Sequence, residues 1–144
     1  MPATICAVVV TYNSASTLDD CLGRLRAAQG IGQVRVVDNG SLDASVAIAQ
    51  RHAAADPRVR FIANADNPGF AAANNVGVDA GAHPLVLLLN SDTVTPPGQL
   101  EALCAVMDAH PAAGAAGPRL EDAQGRPELS FGPMMSPWGE ARQK

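Results

Sequence analysis

An α/β fold, a mostly parallel sheet with helices on both faces, is predicted by three features of this chain. Apolar stretches of strand length alternate with stretches of helical period, the connections between them are short, and the strand-like runs end in polar residues. Ile5 to Thr11 (ICAVVVT) is a continuous β-branched run of the kind buried on both faces of a parallel sheet. Ser16-Thr-Leu-Asp19 then has the form of a helix start, because a hydroxyl can accept from an orphan amide and an early Asp suits the positive end. Leu18, Cys21, Leu22 and Leu25 follow on one helical face.

Gln33 to Asp38 (QVRVVD) reads as the second strand, and Ser41-Leu-Asp43 opens a helix carrying Val46, Ile48 and Ala49 through to His52. Val59 to Ala63 is the third strand, Asn67-Pro-Gly69 a turn, and Phe70 to Ala80 a helix of small residues. Leu85 to Leu89 (LVLLL) is the strongest buried-strand signal in the chain. Pro96-Pro97 can start a further helix with Leu100, Leu103, Cys104 and Met107 inward, ending near His110-Pro111. Beyond Gly117-Pro118 the pattern becomes two short extended pieces around a glycine turn, and 131–144 has no periodicity. The expected division is an α/β domain over 1–118 and a hairpin with an irregular tail over 119–144.

Composition excludes several classes of function. The 144 residues carry 10 Lys plus Arg against 14 Asp plus Glu, a net charge of −4, which argues against a nucleic-acid backbone binder. Hydrophobic residues make up 47%, enough for a core, but aromatics only 3%, so that core is built from Ala, Val, Leu and Ile. The three cysteines, Cys6, Cys21 and Cys104, have no C-x-x-C pairing and read as buried free thiols in a reducing compartment. No basic leader opens the chain and no apolar run reaches the roughly 18 residues that span a bilayer. Absence of G-x-G-x-x-G, of a P-loop and of G-x-S-x-G weakens the dinucleotide oxidoreductase, NTPase and α/β-hydrolase readings.

Ligands on parallel sheets bind at the carboxyl ends of the strands, here Thr11-Tyr12-Asn13, Asp38-Asn39-Gly40-Ser41 and Asn90-Ser91-Asp92. Asp92, after an apolar strand, either holds a hard divalent cation or belongs to a turn that caps the next helix. Asp38 either accepts from a pyrimidine imide or a ribose hydroxyl, or makes an Asx-turn with Asn39 and Gly40. Ser41 and Asp43 read as a helix start.

Five segments in this order resemble the family 2 glycosyltransferases of the GT-A fold, and within them the rhamnosyltransferase-like branch. They are VVVTYNSASTLDDCL (8–22), VRVVDNGSLDAS (34–45), NADNPGFAAANNVGV (64–78), LVLLLNSDTVTPPGQL (85–100) and GPRLEDAQGRPELS (117–130). The resemblance implies an inverting transfer of a sugar from a nucleoside diphosphate, dTDP- or UDP-linked, to a glycan or lipid-linked acceptor of cell-surface polysaccharide synthesis. By position, Thr11, Tyr12 and Asn13 match the loop against nucleobase and ribose, and Asp38 the acid that reads the pyrimidine. Gly69, Phe70, Asn74 and Asn75 match the turn and helix start that approach the nucleotide-sugar. Asn90-Ser91-Asp92 stands where the family has D-x-D, so Asn90 would bind a ribose hydroxyl and Asp92 a Mg²⁺ or Mn²⁺ ion.

The family's general base commonly lies in a Glu-Asp pair farther along, so the base is expected beyond Lys144, and no catalytic residue is assigned. Glu121, Asp122 and Glu128 read as hairpin surface charges. The same resemblance implies a donor-binding half whose face toward the acceptor half is exposed, open to self-association or a partner chain. The implied location is the cytoplasm, free or at the cytoplasmic face of the membrane. A nucleotide-sugar binding module without catalysis is the alternative from another class. A receiver-like signalling domain would need acids after the first strand, where Thr11 and Tyr12 stand.

Overall fold

The computed structural model describes residues 5–122 and 124–128. They fall into two compact units, Met1–Cys104 and Ala105–Lys144, described separately below. In the first unit, β1 (Ile5–Thr11), β2 (Ile31–Asp38), β3 (Val59–Ala63) and β4 (Leu85–Asn90) form one parallel sheet in the order β3-β2-β1-β4. Between them run α1 (Leu18–Ala27), α2 (Ser45–Ala55) and α3 (Phe70–Asp79), and α4 (Gln99–Ala109) follows β4. The strand order reverses at β1, whose neighbours β2 and β4 are reached by connections in opposite directions. A crevice at such a point, beyond the carboxyl ends of the strands, is where this architecture binds ligands.

All seven residues of β1 are buried, as its unbroken apolar sequence requires. Ala7 and Val9 lie in the larger core with Leu18, Cys21, Leu22 and Leu25 of α1, Ala49 of α2, and Leu100 and Cys104 of α4. Val10, Val37 and Ala73 form the smaller core beneath α3. Close approach of α3 depends on Gly77, where a Cβ would collide with Cγ1 of Val8 and lie 3.2 Å from Cγ2 of Val37. The far end of α3 is tied down by Arg35, a buried β2 residue whose Nε donates to the carbonyl of Ala80 at 2.8 Å. A cation at a helix C-terminus both satisfies an orphan carbonyl and opposes the negative end of the dipole.

Two sequence expectations need correction. Leu85–Asn90 is not buried on both faces: Leu85, Leu87 and Leu89 pack against the larger core, while Val86 and Leu88 are about half exposed at 45% and 54%. Its register with β1 puts Val86 and Leu88 on the face of Cys6 and Val8, but α3 packs over β1 and β2 and leaves this edge strand uncovered. At the start of α1 the N-cap residue, Thr17, makes no side-chain capping bond, and its hydroxyl donates to the carbonyl of Ser14 at 3.4 Å instead. Asp19 and Asp20 do occupy the first turn.

Cys6, Cys21 and Cys104 are all buried. No helix among the described residues is long and apolar enough to cross a membrane. In the second unit, β5 (Leu120–Glu121) and β6 (Pro127–Glu128) pair antiparallel around Gly125, whose φ is +74°. Asp122 holds that turn by accepting from the backbone amides of Gln124 and Arg126, both at 2.9 Å. Those bonds, the Arg126 amide first, hold its carboxyl below the usual range, which is the work of a turn residue. The expected irregular tail, 131–144, lies outside the described residues.

Candidate functional site

The loops that leave β1 and β2 are stitched together by side chains that accept from each other's backbone. Ser41 Oγ accepts from the amide of Asn13 at 2.9 Å, and Asn13 Oδ1 accepts from that of Leu42 at 2.8 Å. Ser45 Oγ accepts from Ser14 N–H at 2.8 Å, and Asp43 Oδ2 from Ala15 N–H at 3.0 Å. Asn13 can take part because it sits in the left-handed region, φ +51°, which Asn tolerates better than most residues. Asp43 also accepts from Ser45 N–H at 2.9 Å, so it does open α2. Bonding to Ser45 is the chief cause that holds its carboxyl below the usual range.

A third loop, between β3 and α3, is fastened to the second by amides. Asn64 Nδ2 donates to Asn39 Oδ1 at 2.8 Å, and Asn39 Nδ2 donates to Asn67 Oδ1 at 3.2 Å and to the carbonyl of Gly69 at 3.4 Å. Asn67 Oδ1 accepts a second bond from Gly69 N–H at 3.0 Å. Gly69, at φ +91°, is required here by backbone conformation rather than by crowding, since a Cβ would meet nothing within 4 Å.

Between these loops and the end of β4 lies an open cavity of about 290 Å³. Val10, Tyr12 and Ser14 line it from the β1 side, Asn39 from β2, and Asn67 and Phe70 from the start of α3. Asn90, Ser91 and Asp92 complete it, with Ser91 Oγ donating to Ser14 Oγ at 2.9 Å. Among the described residues no Lys or Arg lines the cavity, and Asp92 is the one carboxylate that does. Cys21 of α1 donates to the carbonyl of Asn90 at 3.8 Å, and its thiol is pushed up to about 12 by burial and then by the charges of Asp20 and Asp92. That thiol is inert at neutral pH.

Of the residues singled out in the sequence, the cavity gathers Tyr12, Phe70, Asn90 and Asp92. Thr11 is buried with Oγ1 unpartnered, and Asn13 is spent on the loop stitching. Asp38 makes the Asx-turn, its Oδ2 accepting from Gly40 N–H at 3.1 Å and Ser41 N–H at 2.9 Å, while its Oδ1 is buried without a partner. Asn74 faces inward and donates to the carbonyl of Phe70 at 3.1 Å, with Oδ1 unpartnered; Asn75 is exposed and does not line the cavity. Ser14, Asn39, Asn67 and Ser91 line it without having been singled out. Their signal was present as turn chemistry beside strand ends, which does not distinguish a residue that shapes a loop from one that faces a ligand.

Oxygen donors and one carboxylate suit a hard divalent cation better than a soft one. Among the described residues there is no group of three or more His, Cys, Asp or Glu that could hold a metal. An ion here would therefore share Asp92 with oxygens of its ligand and with water, which the open cavity permits.

Comparison with known proteins fits this architecture. The chain is 37% identical over 103 residues to the succinoglycan biosynthesis protein ExoO of Rhizobium meliloti, covering 71% of this chain and 29% of that protein. It is 35% identical over 105 residues to an N-acetylglucosaminyltransferase of Mesorhizobium japonicum, covering 69% of this chain and 24% of the relative. The chain thus spans less than a third of the length of these relatives. Among solved structures, the Pyrobaculum calidifontis mannosyltransferase PcManGT in complex with GDP-Man and Mn²⁺ superposes with a TM-score of 0.71 at 19% identity, over 86% of this chain and 37% of that one. S. aureus TarS in complex with UDP-GlcNAc gives 0.67 at 22%, over 81% and 37%. At such identities these structures show the fold, the GT-A arrangement of the parallel sheet. The profile described as Glycosyl transferase family 2 matches residues 6–142, and the chain belongs to that family.

Proposed function

We propose that this chain forms the donor site of an inverting glycosyltransferase that binds a nucleoside-diphosphate sugar, dTDP- or UDP-linked, with Mg²⁺ or Mn²⁺. The observation that carries this reading is the cavity at the strand ends, which joins Tyr12, Asn90 and the lone carboxylate of Asp92 at the point where the strand order reverses. A diphosphate in it would meet no cationic side chain among the described residues, so the ion held by Asp92 would supply the charge neutralisation that the leaving group needs. The unpartnered Oδ1 of Asp38 would accept the imide N–H of a pyrimidine, relieving the cost of a buried oxygen without a donor. Asn90 would bond a ribose hydroxyl, and Gly69 and Phe70 would approach the nucleotide-sugar, the backbone of Gly69 being free to come close and Asn74 holding the carbonyl of Phe70 from behind.

Acceptor, location and partner follow the relatives. ExoO is named for succinoglycan biosynthesis, which supports a glycan or lipid-linked acceptor and a cytoplasmic site of action, free or at the membrane face. The uncovered face of β4 supports self-association or a partner chain. Binding without catalysis is the second reading, favoured by one feature: once Asp92 holds a cation, no other carboxylate among the described residues lines the cavity to take the acceptor's proton. Release of free sugar from a UDP-sugar by the purified chain separates the two.

Calorimetric titration with UDP and dTDP in Mn²⁺, repeated in EDTA and with Asp92→Ala, tests the donor site. The expected result is binding that falls at least about tenfold on loss of either the metal or Asp92, since both remove the same charge compensation. Equal binding with and without metal would reject the role of Asp92. No binding by the folded chain would reject the site.

A further inference from the structure

Arg35 is the one arginine among the described residues that is buried, at 8% exposure. Its Nε donates to the carbonyl of Ala80 at 2.8 Å, and its Nη1 reaches the carbonyls of Val34 at 3.4 Å and Arg58 at 3.3 Å. All three acceptors are neutral backbone oxygens, and Nη2 meets no acceptor among the described residues. A buried charge is ordinarily paired with an opposite one. Here the negative end of α3 supplies only roughly half an elementary charge.

A second guanidinium stands beside it. Arg60 of β3 is in register with Arg35, so the two side chains leave the same face of the sheet. Neighbouring strands lie about 4.8 Å apart, and like charges directly opposite each other are destabilising. Arg60 is exposed and takes part in no hydrogen bond or ion pair among the described residues. The acids of this region leave the pair unanswered: Asp56 is turned to Arg26 and Arg58, and Asp79 on the last turn of α3 pairs with neither Arg35 nor Arg60. Burial pushes the Cys6 thiol up against the pull of the Arg35 charge, so Cys6 is protonated at neutral pH and brings no counter-charge.

We infer that Arg35 and Arg60 form a site for a phosphate group, whose oxygens would accept from Nη2 of Arg35 and from the fork of Arg60. Guanidinium forks match phosphate oxygens in charge-assisted pairs. A phosphate monoester carries roughly −1.5 to −2 at neutral pH, which balances two guanidinium charges less the share of the helix end, where a single carboxylate does not. The site is separate from the cavity at the strand ends. Ala80 follows the last residue of α3, whereas Phe70, the first, lines the cavity, and 10 helical residues span about 15 Å. Free phosphate and the headgroup of an anionic lipid share this chemistry.

Calorimetric titration with inorganic phosphate at constant ionic strength, in EDTA so that no cation sits at Asp92, is the test. The expected result is saturable binding by the wild type that weakens about tenfold or more in Arg60→Gln, with a melting temperature in chloride no lower than that of the wild type. Arg60→Glu brings a carboxylate of its own to Arg35, and should bind no phosphate and melt higher than the wild type in chloride. Co-sedimentation with vesicles of phosphatidylcholine, alone and mixed with phosphatidic acid, separates the two sources: retention by the mixed vesicles that Arg60→Gln abolishes assigns the headgroup, and binding of soluble phosphate alone assigns the free ion. No binding to either by the folded wild type overturns the inference, as does binding that survives in Arg60→Gln. An Arg60→Gln that melts below the wild type makes Arg60 a structural residue, and an Arg60→Glu that melts no higher shows that Arg35 lacks no counter-charge; either result overturns it as well.

Discussion

Ser45 holds the β1 loop through one buried hydroxyl oxygen. It is fully buried, and its Oγ is the acceptor for Ser14 N–H. Ser45→Ala strands that part-buried amide, and the expected loss is about 1 kcal/mol in urea unfolding, the net worth of a typical hydrogen bond. A loss under a few tenths would mean that water replaces the hydroxyl. Residue-level reading of the sequence succeeded where the chemistry was local: Asp38 does make its Asx-turn, and Asp43 does start a helix. It could not foresee that Asn39 and Asn67 would bond across 28 positions of sequence, because an asparagine in a turn looks the same whether its amide serves its own loop or another.

At the scale of elements, α3 is the most tightly fitted. Gly77→Ala pushes a methyl into Val8 and Val37, and should cost about 1–3 kcal/mol by overpacking while also weakening nucleotide binding through displacement of the Phe70 end. Thermal unfolding and titration of the same variant read both effects, and an unchanged stability would show that α3 can ride outward freely. Across the sheet, the C-terminal ends of α1 and α2 are joined by ions. Arg58 Nη2 reaches Asp56 at 2.8 Å, Arg26 Nε reaches it at 3.2 Å, and His52 bridges Asp19 and Arg26.

Hydrogen bonds from Arg58, with those from Arg26 added, hold the Asp56 carboxyl well below the usual carboxylate range; bonds from His52 and Arg51 lower that of Asp19. A depressed native pKa means that the unfolded chain takes up protons first as pH falls. The stabilisation is therefore complete above roughly pH 4, the unfolded carboxylate range, and is lost progressively below it. Melting temperatures taken from pH 7 to pH 3 should fall on the acid side, and less steeply in Asp56→Asn. A flat profile in the wild type would remove this network from the account of stability. Element boundaries were legible because each apolar period is local; the exposure of Val86 and Leu88 was not, because LVLLL reads the same at the centre and at the edge of a sheet.

For the molecule as a whole, the uncovered β4 is the exposed liability. Among the described residues it offers an unpaired edge of six residues with Val86 and Leu88 beside it, the combination that natural sheets cover or charge. Leu88→Lys should reduce concentration-dependent association in light scattering with little change in stability, since the side chain is already 54% exposed. A wild-type chain that scatters as a monomer at high concentration would count against association through this face. The fold class and the order of elements were legible from alternation alone, whereas the side of the sheet that α3 leaves bare depends on packing between residues far apart in sequence.

The position of β1 in the middle of the sheet has a consequence for the order of events in folding. It precedes β2, β3 and β4 in the chain, yet Val9 lies opposite Leu89, about 80 residues later, so one flank of this strand stays open until β4 has emerged. Pairing of β1 with β2 and β3 can proceed early, but Asn90, Ser91 and Asp92 reach the cavity only when β4 docks. The cation-binding end of the proposed site is thus the last part to be built. Metal and nucleotide should then slow unfolding without hastening the formation of the sheet that precedes them.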